Sequence, residues 1–151
     1  DVCSSDLARD NIKSKKATFI TGDGLGLLKK KKFDLIICNP PYVPRPKSID
    51  NNPYEGVSLL YNILHFGSRF LKKNGVIITN ISSLAEKIVL DKPTDLKMSV
   101  LKEMVVPLKV NNIINNKKWL DYLKKNGLII KKRSKGYKYW QKIKIVKLEV
   151  T

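Results

Sequence analysis

The chain has 151 residues, 42% of them hydrophobic, so it carries one domain's worth of sequence with enough apolar side chains for a core, and disorder throughout is excluded. Lys and Arg number 30 against 13 Asp and Glu, a formal charge of +17, and only two cysteines occur, Cys3 and Cys38. Two cysteines exclude a disulfide framework or a metal cluster and point to a reducing cytoplasm. No apolar run reaches the ~20 residues that span a bilayer and the N-terminus is not a signal peptide, so no membrane partner is expected. The charge has two readings. It suits a polyanionic partner such as nucleic acid. It is equally what an AT-rich genome produces, because nearly all of it is Lys, and Lys, Asn and Ile are abundant together.

In chain order, "DVCSSDL" (Asp1 to Leu7) has no clear periodicity and reads as the translation of the end of a common sequencing adapter. We set it aside as an assembly scar, with native sequence starting near Ala8. "ARDNIKSKK" reads as the tail of a helix, and "ATFIT" (Ala17 to Thr21) as a short strand stopping at Gly22. A helical turn around Leu25 to Lys30 leads to "FDLIIC" (Phe33 to Cys38), a continuous apolar run suited to a strand buried on both faces. Val57, Leu60, Tyr61, Leu64 and Leu71 then follow helical spacing, Asn74-Gly75 closes that helix, and "VIITN" (Val76 to Asn80) is the next strand of a βαβ unit. Residues 81–115 read as an ordered, apolar-containing extension, either an added edge or lid or a contact to substrate. Asn115 or Asn116 caps a helix through Trp119, Leu120 and Leu123 that ends at Gly127. "LIIKKR" and "WQKIKIVKLEV" form a closing antiparallel hairpin around Lys135-Gly136, with alternation at Ile143, Ile145 and Leu148. The fold class expected is α/β, an open sheet that binds ligands at its strand carboxyl ends.

The corner "NPPY" falls at such an end. Asn39 offers a carboxamide oxygen and Pro40 a carbonyl, and the Pro40-Pro41 pair stiffens the backbone while biasing Asn39 towards extended geometry. Two rigid acceptors can grip both hydrogens of one planar NH₂ group. Tyr42 adds a face on which a flat amide or base can stack.

"FDLIICNPPYVP" resembles the Asn-Pro-Pro-Tyr signature of class I S-adenosylmethionine-dependent N-methyltransferases, which include the release-factor glutamine methyltransferases and the adenine-N6 and guanine-N2 nucleic-acid enzymes. "EGVSLLYNILHFGSRFLKKNGVIITN" is similar to the helix, turn and strand that follow in that family. The match runs from about Ala8 to Asn80 and resumes more weakly from Asn116. The resemblance implies a Rossmann-like methyltransferase sheet, S-adenosyl-L-methionine as cofactor, and a partial catalytic domain over residues 8–151. It implies that Asn39 and the Pro40 carbonyl hold the target nitrogen, that Pro41 stiffens their placement, and that Tyr42 stacks on the target plane. The resemblance also implies that Asn39 borders the cofactor and that Gly22 and Asp23 lie at the turn beside its adenine.

"GDGLG" (Gly22 to Gly26) looks like the family's glycine-rich cofactor loop, but only one strand separates it from the corner, where the family has more. The family's true glycine loop and its ribose-binding acid are therefore missing, and the chain is expected to be the C-terminal part of an enzyme that binds cofactor poorly alone.

His65, the single histidine, suits a structural role on a helix, and Cys38 a small hydrophobe in a strand. "KKRSKGYKYWQK" (Lys131 to Lys142) fits stacking on single-stranded RNA or a hairpin with one buried aromatic face. Three functions are expected in order: methylation of a protein glutamine, most like that of a release factor; methylation of an RNA or DNA base amine; and non-catalytic binding of nucleic acid.

Overall fold

A computed structural model describes residues 10–12, 14–22, 26, 31–46, 56–109, 113, 115–134 and 136–150. The chain divides into two compact units, Asp1–Lys31 and Lys32–Thr151.

In the first unit, Asp10 and Asn11 are helical and a turn follows, in which the N–H of Ala17 donates to the carbonyl of Ser14 at 3.1 Å. Ala17–Thr21, expected as a strand, forms none. A strand is held by a ladder to a neighbour, and this segment has no ladder partner among the described residues; Ile20 is 52% exposed. The expected scar at Asp1–Leu7 lies outside the described residues, and so does the turn at Leu25–Lys30 except for Gly26, which is helical.

The second unit is α/β with a mixed, open, five-stranded sheet. In chain order it contains β1 (Phe33–Ile37), α1 (Ser58–Phe66), a short 3₁₀ turn (Gly67–Phe70), β2 (Leu71–Ser82), α2 (Glu86–Val89), β3 (Leu96–Pro107), α3 (Lys117–Lys125), β4 (Ile129–Ser134) and β5 (Tyr137–Val150). The strands lie in the order β1-β2-β5-β3, and β4 pairs with β5. β1 and β2 are parallel, whereas β5 runs antiparallel to β2, β3 and β4. The segment from 81 to 115 holds the end of β2, then α2 and β3, and it supplies the outer strand beyond β5.

Helical spacing in α1 puts Leu60, Ile63 and Leu64 on one buried stripe. They pack with Ile77, Ile81, Leu96, Val146 and Leu148 of the strands, Ala85 at the start of α2 and Val89 at its end into the main core. A second core gathers Leu84, Leu108, Ile113, Leu128 and the inner face of α3, Leu120 and Leu123. His65 holds α1 to the end of α2: its Nε2 lies 3.0 Å from the Val89 carbonyl, which can only accept, so that nitrogen carries the proton.

Three details depart from the sequence reading. The first helix ends at Phe66, and Asn74-Gly75 instead lies within β2, where Asn74 has φ 65 and a Cβ on Gly75 would come within 2.6 Å of the Phe33 carbonyl. Between the rungs Phe33↔Leu71 and Leu35↔Val76, β2 advances five residues while β1 advances two, so the pair bulges there. Second, β1 is not buried on both faces. It pairs only with β2 among the described residues, Ile36 faces the main core, and Leu35 and Ile37 on the other face are 48% and 72% exposed. Third, alternation in β5 buries Ile143 but then Val146 and Leu148, leaving Ile145 half-buried, because the strand is covered on different faces at its two ends.

Candidate functional site

β1 stops where its sequence can no longer donate to a ladder. The N–H of Cys38 still bonds the Ile78 carbonyl at 3.0 Å, one residue past the last rung, and then Pro40 and Pro41 follow with no N–H to offer. Pro40 is fully buried, Asn39 and Pro41 are exposed, and Tyr42 is half-buried with its ring against the main core. The chain is fixed again at Pro44, whose carbonyl accepts the Trp119 indole N–H at 2.8 Å, while the Arg45 guanidinium sits over the Trp119 ring, 4.7 Å from its centroid. The corner is thus anchored on both sides, by β2 before it and by α3 after it.

α3 is placed by its cap. The Asn116 carboxamide oxygen accepts the Trp119 N–H at 3.1 Å, and the last turn is closed by bonds from Asn126 and Leu128 to the Leu123 carbonyl. Gly127 then turns the chain at φ +95, with Ser83 packed so close that a Cβ would lie 2.5 Å from the Ser83 carbonyl. The Ser83 hydroxyl donates to the Gly127 carbonyl at 2.9 Å and accepts from the Lys142 N–H at 3.1 Å, joining the end of β2, the start of β4 and the middle of β5.

Between the corner and α3 lies a cavity of about 510 Å³. Its walls include Pro41, Tyr42, Arg45, Lys109, Trp119 and Gln141. Gln141, only 4% exposed, has its Oε1 bound by the Ser82 hydroxyl at 2.7 Å, and that hydroxyl in turn accepts the Leu84 N–H at 3.1 Å. The amide oxygen of Gln141 is therefore committed to the protein.

Burial pushes the Cys38 thiol up from its ordinary value, so at neutral pH it is protonated and not a nucleophile. The Lys72 ammonium, hydrogen-bonded to Asp34 at 2.7 Å, holds that carboxyl below the usual range, but this pair is at the opposite end of β1 from the corner. Among the described residues no group of His, Cys, Asp and Glu could hold a metal, and no helix is long and apolar enough to cross a membrane.

Of the residues named from sequence, Asn39, Pro40, Pro41 and Tyr42 form the corner, but only Pro41 and Tyr42 line the cavity. Gly22 belongs to the first unit, with φ 144, and Asp23 lies outside the described residues. The basic aromatic tail resolves in part: Trp140 is 6% exposed and Tyr139, on the opposite face of β5, packs on the second core, so both rings are taken up in packing, with Lys131 over Trp140 and Lys138 over Tyr139. The sequence reading missed Arg45, Lys109, Trp119 and Gln141 as wall residues, and also Asn80, whose Oδ1 is buried without a hydrogen-bond partner among the described residues. Asn80 and Asn39 each stand two residues past the final β1–β2 rung, a relation that appears only once the register is known.

The corner carries acceptors suited to a planar amine. It offers no carboxylate for a ribose diol among the described residues, and Glu86, past the end of β2, is paired with Lys144 at 2.5 Å. Among the described residues the donor set does not fit the nucleoside of S-adenosylmethionine. The chain matches no family model, and no curated protein matches it significantly.

Proposed function

We propose that the chain acts in S-adenosylmethionine-dependent N-methylation, and that the corner after β1 holds the nitrogen to be methylated. The observation that carries this reading is the placement of Asn39-Pro40-Pro41-Tyr42 at the carboxyl end of a parallel strand, pinned by Cys38 on one side and Pro44 on the other. A planar NH₂ group presented there donates one hydrogen to the Asn39 carboxamide and one to the Pro40 carbonyl. Accepting from both hydrogens polarises the N–H bonds and raises the electron density on the nitrogen, and Tyr42 supports the plane of the acceptor. Positioning of this kind, with preorganised dipoles, supplies rate without a strong general base. Cofactor-side roles for Gly22, Asp23 and Asn39 rest on the family resemblance, and no chemical step is assigned to them.

The short "NPPYVP" context favours a protein glutamine, most like that of a release factor. A nucleobase amine is the second reading, and Arg45 and Lys109 on the cavity wall favour it. The test is transfer of labelled methyl from S-adenosylmethionine to a release factor and, separately, to single-stranded RNA. Asn39→Ala is expected to lower transfer on the order of 100-fold with an unchanged circular dichroism spectrum. Full activity in Asn39→Ala would refute the grip. RNA binding with no transfer to either acceptor would mark the chain as a non-catalytic binding module.

A further inference from the structure

We infer that the cavity between the corner and α3 binds one nucleotide unit of a single-stranded nucleic acid, with Gln141 as its buried hydrogen-bond donor and Lys109 as its phosphate contact. Its volume of about 510 Å³ lies within the roughly 300–1,000 Å³ range of small-molecule sites. The described lining has two cations, Arg45 and Lys109, and no carboxylate. The exposed Lys109 ammonium on the wall favours a ligand that carries negative charge. Tyr42 and Trp119 add flat apolar surface, and Trp119 is held in place by its bond to Pro44 and by Arg45 over its face. A flat group carrying negative charge matches both features.

Gln141 supplies selectivity. Because its Oε1 already accepts from Ser82, what the side chain has left for a ligand is its NH₂, a donor that suits a carbonyl or ring nitrogen of a base. Lys109 is exposed, with its ammonium 5.5 Å from the centre of the Tyr137 ring. Two further lysines of the hairpin, Lys131 and Lys138, lie over the rings of Trp140 and Tyr139. The inference rests on the proposed N-methylation and takes up its second reading, a nucleobase amine as acceptor, yet binding is measurable without any transfer.

The experiment is fluorescence anisotropy of a labelled 12-nucleotide single-stranded RNA against the whole chain over a range of salt, for the wild type, Lys109→Gln, Gln141→Glu and Lys92→Gln. Lys92 precedes β3 and Lys109 follows it, so the two sit at opposite ends of a twelve-residue strand and make a matched pair for charge. Lys109→Gln is expected to weaken binding about fivefold and to reduce the salt slope by about 1, with little change for Lys92→Gln. Gln141→Glu keeps an oxygen for Ser82 but removes the donor, and is expected to cost on the order of tenfold. If that variant does not fold, the two lysine variants decide. Equal losses in both lysine variants, or no binding by the wild type, would overturn the inference. Methylation of a release factor by a chain that ignores RNA would sink it and leave the methyl-transfer reading standing. RNA binding with the expected losses, but no methyl transfer, would do the reverse.

Discussion

The indole N–H of Trp119 donates to the carbonyl of Pro44 across 75 positions of sequence, at 2.8 Å. This bond ties the loop after β1 to the first turn of α3 and sets the width of the cavity between them. Pro44 is buried, so replacing Trp119 by Phe leaves its carbonyl short of a partner. We expect Trp119→Phe to destabilise the fold by about 1–3 kcal/mol in urea titration and to loosen the loop in hydrogen exchange. A stability equal to wild type would show that solvent satisfies that carbonyl.

Asn116 is the N-terminal side-chain cap of α3, accepting the Trp119 N–H at 3.1 Å. Asn116→Ala should lower stability by about 1 kcal/mol, with Asn116→Asp or Asn116→Ser restoring most of it. Equal losses in all three variants would assign the effect to something other than the cap.

Gly127 combines a left-handed backbone, φ +95, with a Cβ position 2.5 Å from the Ser83 carbonyl. Strain and clash act together, and the clash is with backbone that cannot swing away. Gly127→Ala is expected to cost about 2 kcal/mol or more by thermal or urea denaturation. A neutral result would mean that the end of β2 can move away from β4.

The Cys38 thiol, desolvated beside the main core, is raised above the ordinary 9.0. In that window the unfolded chain has lost a proton that the folded chain keeps. Its contribution to stability is therefore complete below pH 9.0 and is lost as pH rises through the folded value. Cys38→Ala should flatten this alkaline decline. Peptide-resolved iodoacetamide labelling at pH 8 should find Cys38 slower than free cysteine, and an equal rate would contradict its burial.

How much was legible in the sequence depended on how local each signal was. The caps and turns at Asn116, Gly127 and Gly136 were readable because a cap is decided within four residues. β1, β2, α1, α3 and the final hairpin were readable from runs and spacing. The end of α1 was misplaced because Asn-Gly marks a left-handed turn wherever one is needed, and the pairing with Phe33 put that turn inside β2. The burial of β1 was misjudged because an apolar run does not say whether a strand will be central or outermost.

By itself, the sequence determined an α/β chain with a rigid Asn-Pro-Pro-Tyr corner at the end of a strand, since proline geometry and apolar periodicity are properties of neighbouring residues. Only the tertiary structure decided that the corner opens onto a cavity walled by Arg45, Lys109, Trp119 and Gln141. Those residues come from a loop, a strand end, a helix and a second strand, and nothing in their local spacing encodes their approach. It follows from sheet order and from the packing of α3 on the second core, which are decided by how the elements bury their apolar faces together.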